Sequence, residues 1–187
     1  MKRKTTREIL AESFRELASG KDTDKITVQE IVSNCGYSTA TFYRHFRDKY
    51  DLIAWDHAQN VAGIMNRINP LDYPWKQTLT DGIRLFEQEA DYLTNLFLHT
   101  AGHDSFIRNM TDINHEALRA YILRSTGKKT LDQKTDMYLR FYCLGSVCLI
   151  CEWILGQHKM TADEIVRVLE NSLPAPLHPY LLGNERI

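Results

Sequence analysis

Between Ser38 and Lys49 the chain gathers side chains suited to one kind of chemistry. Thr39, Thr41 and Tyr43 bring hydroxyls, Ala40 a bare methyl, and Arg44, His45 and Lys49 nitrogen donors. Short hydroxyl and methyl groups fit base edges and thymine methyls in a DNA major groove. Tyr43, His45 and Lys49 are donors suited to phosphate oxygens, which fix register without reading sequence. Ser38 at the head of this run, and Thr27 at the head of the segment before it, complete the candidate contact set.

Such a set works only if a helix presents it, and the local pattern supplies one. Thr27 reads as an N-cap, followed by apolar Val28, Ile31, Val32 and Cys35 at helical spacing. Gly36 then offers the left-handed conformation that ends a helix. Ser38 caps a second helix whose Phe42 and Phe46 lie one turn apart and face inward, leaving the polar residues outside. Two short helices around a tight turn make a helix-turn-helix, whose second helix enters the major groove. An αα-corner that never meets DNA has the same spacing. Lys49 falls at the start of a third helix, where free backbone amides also favour an anion.

The run from Gly36 to Leu52, GlyTyrSerThrAlaThrPheTyrArgHisPheArgAspLysTyrAspLeu, resembles the recognition segment of the TetR/AcrR family of bacterial transcriptional regulators. Residues 26–32 resemble that family's preceding helix. The resemblance implies an all-α homodimer on a pseudo-palindromic operator. It implies an N-terminal DNA-binding domain and a larger C-terminal domain that receives a small-molecule effector and dimerises. Most members of the family repress. Shorter runs, residues 51–55, Trp75 with its helix and residues 92–97, look like the subgroup containing the activator of dihydroxyacetone kinase operons. That likeness implies activation with a co-regulator protein instead.

Composition agrees with a globular regulator. Five prolines, nine glycines and 43% hydrophobic residues in 187 exclude a disordered chain. Residues 1–50 hold 10 Lys and Arg against 7 Asp and Glu, and the remainder holds 13 against 17, a basic head on an acidic body. Lys2, Arg3, Lys4 and Arg7 form a basic arm that could reach phosphate or a minor groove. The four cysteines fit reduced thiols in a cytoplasmic protein. The basic start runs into Glu8, Glu12 and Glu16 and reads as no signal peptide. The apolar run 141–155 contains Glu152 and is shorter than the ~20 residues of a membrane span.

Periodicity divides the chain into a head, residues 1–48, and a helical body, residues 49–187, joined by a helix over 49–68 that Pro70 and Pro74 end. The most apolar helix, 131–157, has one stripe through Met137, Phe141, Leu144, Cys148, Cys151 and Leu155 and another through Val147, Ile150 and Ile154. Phe86, Leu96, Phe97, Met110, Phe141 and Cys148 are candidate liners of an effector pocket. Val147, Ile150, Trp153 and Ile154, with Ile165 and Leu169 of the last helix, are the candidate dimer face. The tail after Ala175 carries no strong pattern.

An enzyme finds little support. No GxSxG, phosphate loop, GxGxxG or HExxH is present. The CxxC of Cys148 and Cys151 has no second pair to complete a zinc site. His99, His103 and Asp104, with His115 and Glu116, resemble a loop metal cluster, but solvated or capping histidines explain them as well. No cofactor and no metal are expected.

Overall fold

The computed structural model describes residues 3–69, 71–100 and 105–183, and within them the chain is helical. The elements are α1 (Thr6–Ala18), a 3-10 turn (Thr23–Lys25), α2 (Val28–Cys35), α3 (Thr39–Tyr43), α4 (Lys49–Met65), α5 (Trp75–Gln88), α6 (Ala90–His99), α7 (Phe106–Thr126), α8 (Gln133–Ile154), α9 (Ala162–Asn171) and α10 (His178–Leu181). Lys2, Pro70, His103 and Asp104 lie outside the described residues.

The helix starts are written in the sequence. Three reciprocal capping boxes, Thr5 with Glu8, Thr27 with Glu30 and Thr161 with Glu164, satisfy orphan amides at α1, α2 and α9. Ser38, Asp48 and Asp132 cap α3, α4 and α8 with a single side-chain acceptor.

Leu10 and Phe14 of α1 bury against Ile31, Val32, Phe42 and Phe46, and this core continues without a break into Leu52 and Ile53 of α4, Leu96 of α6, Phe106 of α7 and Val147 of α8. Burial in that continuous core puts His57 of α4 between the rings of Phe86 and Phe106. Desolvation, helped by the Arg15 charge, pushes its pKa down to about 4, so the imidazole stays neutral. A second core gathers Trp75, Leu118, Leu139 and Tyr142 around Leu173, Leu177 and Leu181. The tail is thus anchored, contrary to the expectation of a patternless end. Its apolar residues keep a four-residue spacing, and its prolines sit in the first turn of short helices, where no amide donor is needed.

The two faces of α8 are the reverse of those expected. Val147 and Ile150 point into the chain's own core, with Ile165 and Leu169 of α9 beside them. Trp153 and Ile154 are half-buried, and Trp153 Nε1 donates to Met160 O at 2.8 Å. Phe141 is 74% exposed, and Met137, Leu144 and Cys148 share its outward stripe. Phe141 and Cys148 therefore line no internal pocket. Both stripes are apolar at helical spacing, so periodicity alone cannot say which faces inward. By length and hydropathy α8 is long and apolar enough to cross a membrane, but in this fold its inner face packs on α7, α9 and the tail.

Candidate nucleic-acid interface

The helix-turn-helix is built from the inside out. Ser13 Oγ of α1 donates to Ile31 O at 2.7 Å, and Asn34 Nδ2 reaches Ser13 and Glu16, which clamps α2 on α1. Gly36 takes φ 75°, the left-handed conformation the turn requires. Ser38 then accepts from Thr41 N at 3.1 Å and starts α3. Phe42 and Phe46 anchor that helix, with Phe46 edge-on to Trp55 of α4. Arg7 closes its far end. The guanidinium lies over Phe46 and Trp55 and donates to His45 O at 2.9 Å.

This leaves a defined outward face. Tyr43 is 60% exposed, Ala40 and Arg44 are exposed, and Thr39, Thr41 and His45 are half-buried. Thr41 Oγ1 is engaged locally, 3.1 Å from Ser38 Oγ and 3.0 Å from its donor Arg44 Nη2. Thr27 uses its hydroxyl in both directions, accepting from Glu30 N and donating to Glu30 Oε2 at 2.9 Å, so it has no side-chain proton left for a phosphate. Lys21 and the Thr27 groups hold the Glu30 carboxyl down at about 2.

Lys49 is a correction. Its ammonium donates to Thr23 O, Asp24 O and Ile26 O at 2.8, 2.8 and 2.7 Å, which occupies all three protons. In this fold it clamps the turn before α2 and has no proton left for a phosphate. Burial lowers its pKa, against the pull of Asp24 and Glu30. The basic arm is likewise committed in part, with Arg7 on α3 as described and Lys4 paired with Glu12 at 2.6 Å.

The same turn is held from α6. Asn95 donates to Ala18 O and Lys21 O at 2.8 and 2.9 Å and accepts from Thr23 N at 2.8 Å. Nothing in the sequence pattern marks Asn95, because a lone polar residue in a helix has no periodic signature. Nearby, Arg15 of α1 bridges Asp56 of α4 at 2.7 Å and Glu89 at 2.8 Å, over the face of Tyr92. Burial works against the Arg15 charge, but Tyr92, Asp56 and Glu89 outweigh it and hold the pKa raised. The Asp56 carboxyl is held above its ordinary range by burial, with Arg15 pulling it back.

Replacing Arg15 by methionine is expected to cost about 1–2 kcal/mol at neutral pH, a figure discounted for partial exposure. Without Arg15, Asp56 rises further, so the folded variant binds more protons than the unfolded chain. The deficit should therefore shrink as pH falls from 7.5 to 5. Denaturant titrations of both proteins at the two pH values check this.

In the body, α4, α5, α7, α8 and α9 line a partly open cavity of about 90 Å³. Of the expected pocket residues only Phe86 lines it. Leu96, Phe97 and Met110 are packed core nearby, while Val147, Ile150 and Leu169, expected at a dimer face, do line it. The remaining chemical candidates separate. Cys143 and Cys151 are buried, and burial pushes Cys143 up to about 12 and raises Cys151, which leaves poor nucleophiles. His115 pairs with Asp136 at 3.2 Å and Glu116 at 3.7 Å. His99 instead meets Asp22 and Asp24 at 3.5 and 3.7 Å.

Known proteins match this architecture at several levels. DhaS of Lactococcus lactis subsp. lactis (strain IL1403), the HTH-type transcriptional activator of the dhaKLM operon, is 23% identical over 162 residues, 87% of this chain and 80% of that protein. A TetR transcriptional regulator from Rhodococcus sp. RHA1 superposes with a TM-score of 0.67 at 16% identity, covering 92% of this chain and 97% of that one. The Thermus thermophilus repressor FadR, solved in complex with lauroyl-CoA, gives 0.56 at 19% identity over 95% and 94%. At these identities the structural likeness speaks to fold alone. The sequence pattern described as bacterial regulatory proteins, tetR family, matches residues 5–54, and that of a transcriptional regulator C-terminal region matches residues 74–174, more than half of the chain. With the helix-turn-helix, the helical body and both patterns in register on one chain, this protein belongs to the TetR family of bacterial transcriptional regulators.

Proposed function

We propose that the protein is a cytoplasmic, non-enzymatic regulator that binds a pseudo-palindromic operator as a homodimer and changes its DNA affinity when a small molecule fills the cavity of the body. The observation that carries this reading is the outward Thr39–Ala40–Tyr43 face of a helix pinned on its other side by Phe42, Phe46 and Arg7. Thr39 and Ala40 read bases, and Tyr43, Arg44 and His45 hold phosphates. The Met137–Phe141–Leu144–Cys148 stripe of α8 meets its own copy about a two-fold axis. That pairing sets the half-sites about one helical turn, ~34 Å, or a multiple apart. Val61, Ile64 and Met65 of α4 line the cavity, and Lys49 at the start of the same helix grips the turn before α2. One rigid element thus joins the effector site to the reader.

Repression is the primary reading. FadR and its lauroyl-CoA offer a precedent for control by a ligand. The cavity of this chain, about 90 Å³ with no cation in its wall, calls for a different one. Activation is the second reading, favoured by the match to the DhaS activator along most of the chain. Selecting bound sequences from random DNA, then transcribing from the recovered operator with and without protein, separates the two.

The contact assignment has its own test. Substitution at Thr39 is expected to change base preference by ~1–3 kcal/mol at one position of each half-site. Tyr43→Phe should weaken binding about equally on all sequences. A randomised half-site library measures both, and an unchanged preference in the Thr39 variant would remove α3 as the reader.

A further inference from the structure

Three features of the cavity restrict what it can hold. First, its wall contains no Asp, Glu, Lys, Arg or His. An ion entering it would lose its hydration with no countercharge to replace it. Second, its wall contains one buried donor without a well-formed hydrogen bond. Trp75 is 2% exposed, and its indole N–H makes no hydrogen bond among the described residues. The neighbouring Tyr142 hydroxyl gives its own proton to Leu169 O at 2.9 Å, and its oxygen lies close to the Trp75 N–H but out of line for a bond of normal geometry. Buried N–H groups left in this state are rare, because the hydration they give up is not repaid. Third, the volume of about 90 Å³ is below the ~150 Å³ of an apolar cavity that accepts benzene. An unstrained occupant inside it is therefore no larger than benzene, at most about six heavy atoms.

We infer that the cavity takes a small uncharged molecule, largely apolar and ring-sized or smaller, that presents one hydrogen-bond acceptor, a carbonyl or hydroxyl oxygen, to the Trp75 N–H. This deepens the effector reading above and rests on it. The apolar part packs between Ile83 of α5, Val61 of α4 and Val147 of α8, and the oxygen takes the indole proton at the Trp75 corner. Charged acids, amines and phosphates are excluded by the wall.

Matched five-membered rings test the assignment in the full-length protein. Cyclopentanone, cyclopentane and cyclopentanecarboxylate are titrated while the indole N–H resonances of the three tryptophans are followed by ¹⁵N NMR, with Trp75→Phe fixing the assignment. Cyclopentanone should shift the Trp75 signal saturably and bind up to about tenfold more tightly than cyclopentane, the worth of one hydrogen bond. The carboxylate should leave the signal unmoved. Trp75→Phe should keep cyclopentane binding and lose the ketone preference. Gly82 lies on the cavity wall, and a Cβ there meets nothing within 4 Å, so Gly82→Leu should fit, fill the space and abolish binding of both neutral rings. A carboxylate that binds as well as the ketone overturns the assignment, as does a ketone that saturates without moving Trp75 or no ring binding at all. The broader effector reading fails on a different result: Gly82→Leu protein whose operator affinity still responds to small molecules of a cell extract as the parent does.

Discussion

Changing Phe141 and Leu144 together to glutamate is expected to turn the protein into a well-folded monomer that binds its operator ~10²-fold or more weakly. Both side chains stand largely in solvent, at 74% and 49% exposure, so their loss removes little from the core of the monomer. Stability should change by no more than about 0.5 kcal/mol, as for ordinary surface positions. In the proposed dimer the same positions would face their own copies, and four carboxylates would meet across a desolvated apolar seam. Operator affinity then falls because each half-site must be bound separately, and linkage of two sites is worth about 10²–10⁴. Sedimentation at micromolar protein and binding to one-half-site and two-half-site DNA measure both effects. A variant that stays dimeric, or that keeps full affinity as a monomer, refutes the assignment of this stripe. Val147→Glu makes the contrast, since a charge buried beside Ile150 should prevent folding outright.

Lys49→Met is expected to lower stability by about 2–3 kcal/mol and operator affinity by at least about tenfold, without changing the salt dependence of binding. The stability loss follows from three carbonyls, those of Thr23, Asp24 and Ile26, losing their shared donor. The affinity loss follows from position, because the freed turn precedes α2 and α2 sets the entry angle of α3. The salt slope is the deciding measurement. A lysine that neutralised a phosphate would release counterions, and its loss would lower the slope by ~0.9. A structural clamp leaves the slope where it was. A slope reduced by that amount with unaltered thermal stability would restore Lys49 to the phosphate contacts.

Much of the head was legible because its signals are local. Thr27, Gly36 and Ser38 act on their own backbone, and Phe42 with Phe46 sits in a five-residue frame that only one helix face accommodates. The helix after the recognition helix, α4, begins at Lys49 as its pattern indicates. The body was harder, for two physical reasons. A helix apolar nearly all round carries no information about which stripe is inside, and so the faces of α8 were exchanged. Side chains that bond to distant backbone, such as Asn95 on Ala18, Lys21 and Thr23 or Lys49 on the same turn, are invisible to periodicity because their partners lie tens of residues away. Lys49 shows the consequence. Its type and place in the motif suggest a phosphate donor, and only the fold reveals the carbonyls it already serves.

The small volume of the cavity sets the concentration range in which the protein could act as a sensor. A ligand of about six atoms gains at most ~1.5 kcal/mol per atom, roughly 9 kcal/mol in all, and typically much less, so micromolar dissociation constants are near the best attainable. Turning a 1:99 equilibrium into 99:1 needs about 5.5 kcal/mol of that as preference for one conformation over the other. Binding also draws on the ~1% of molecules in the competent state, which weakens the apparent affinity about a hundredfold. A cavity of about 90 Å³ therefore suits either an abundant metabolite read in a near-switch manner or a scarcer one read as a graded response.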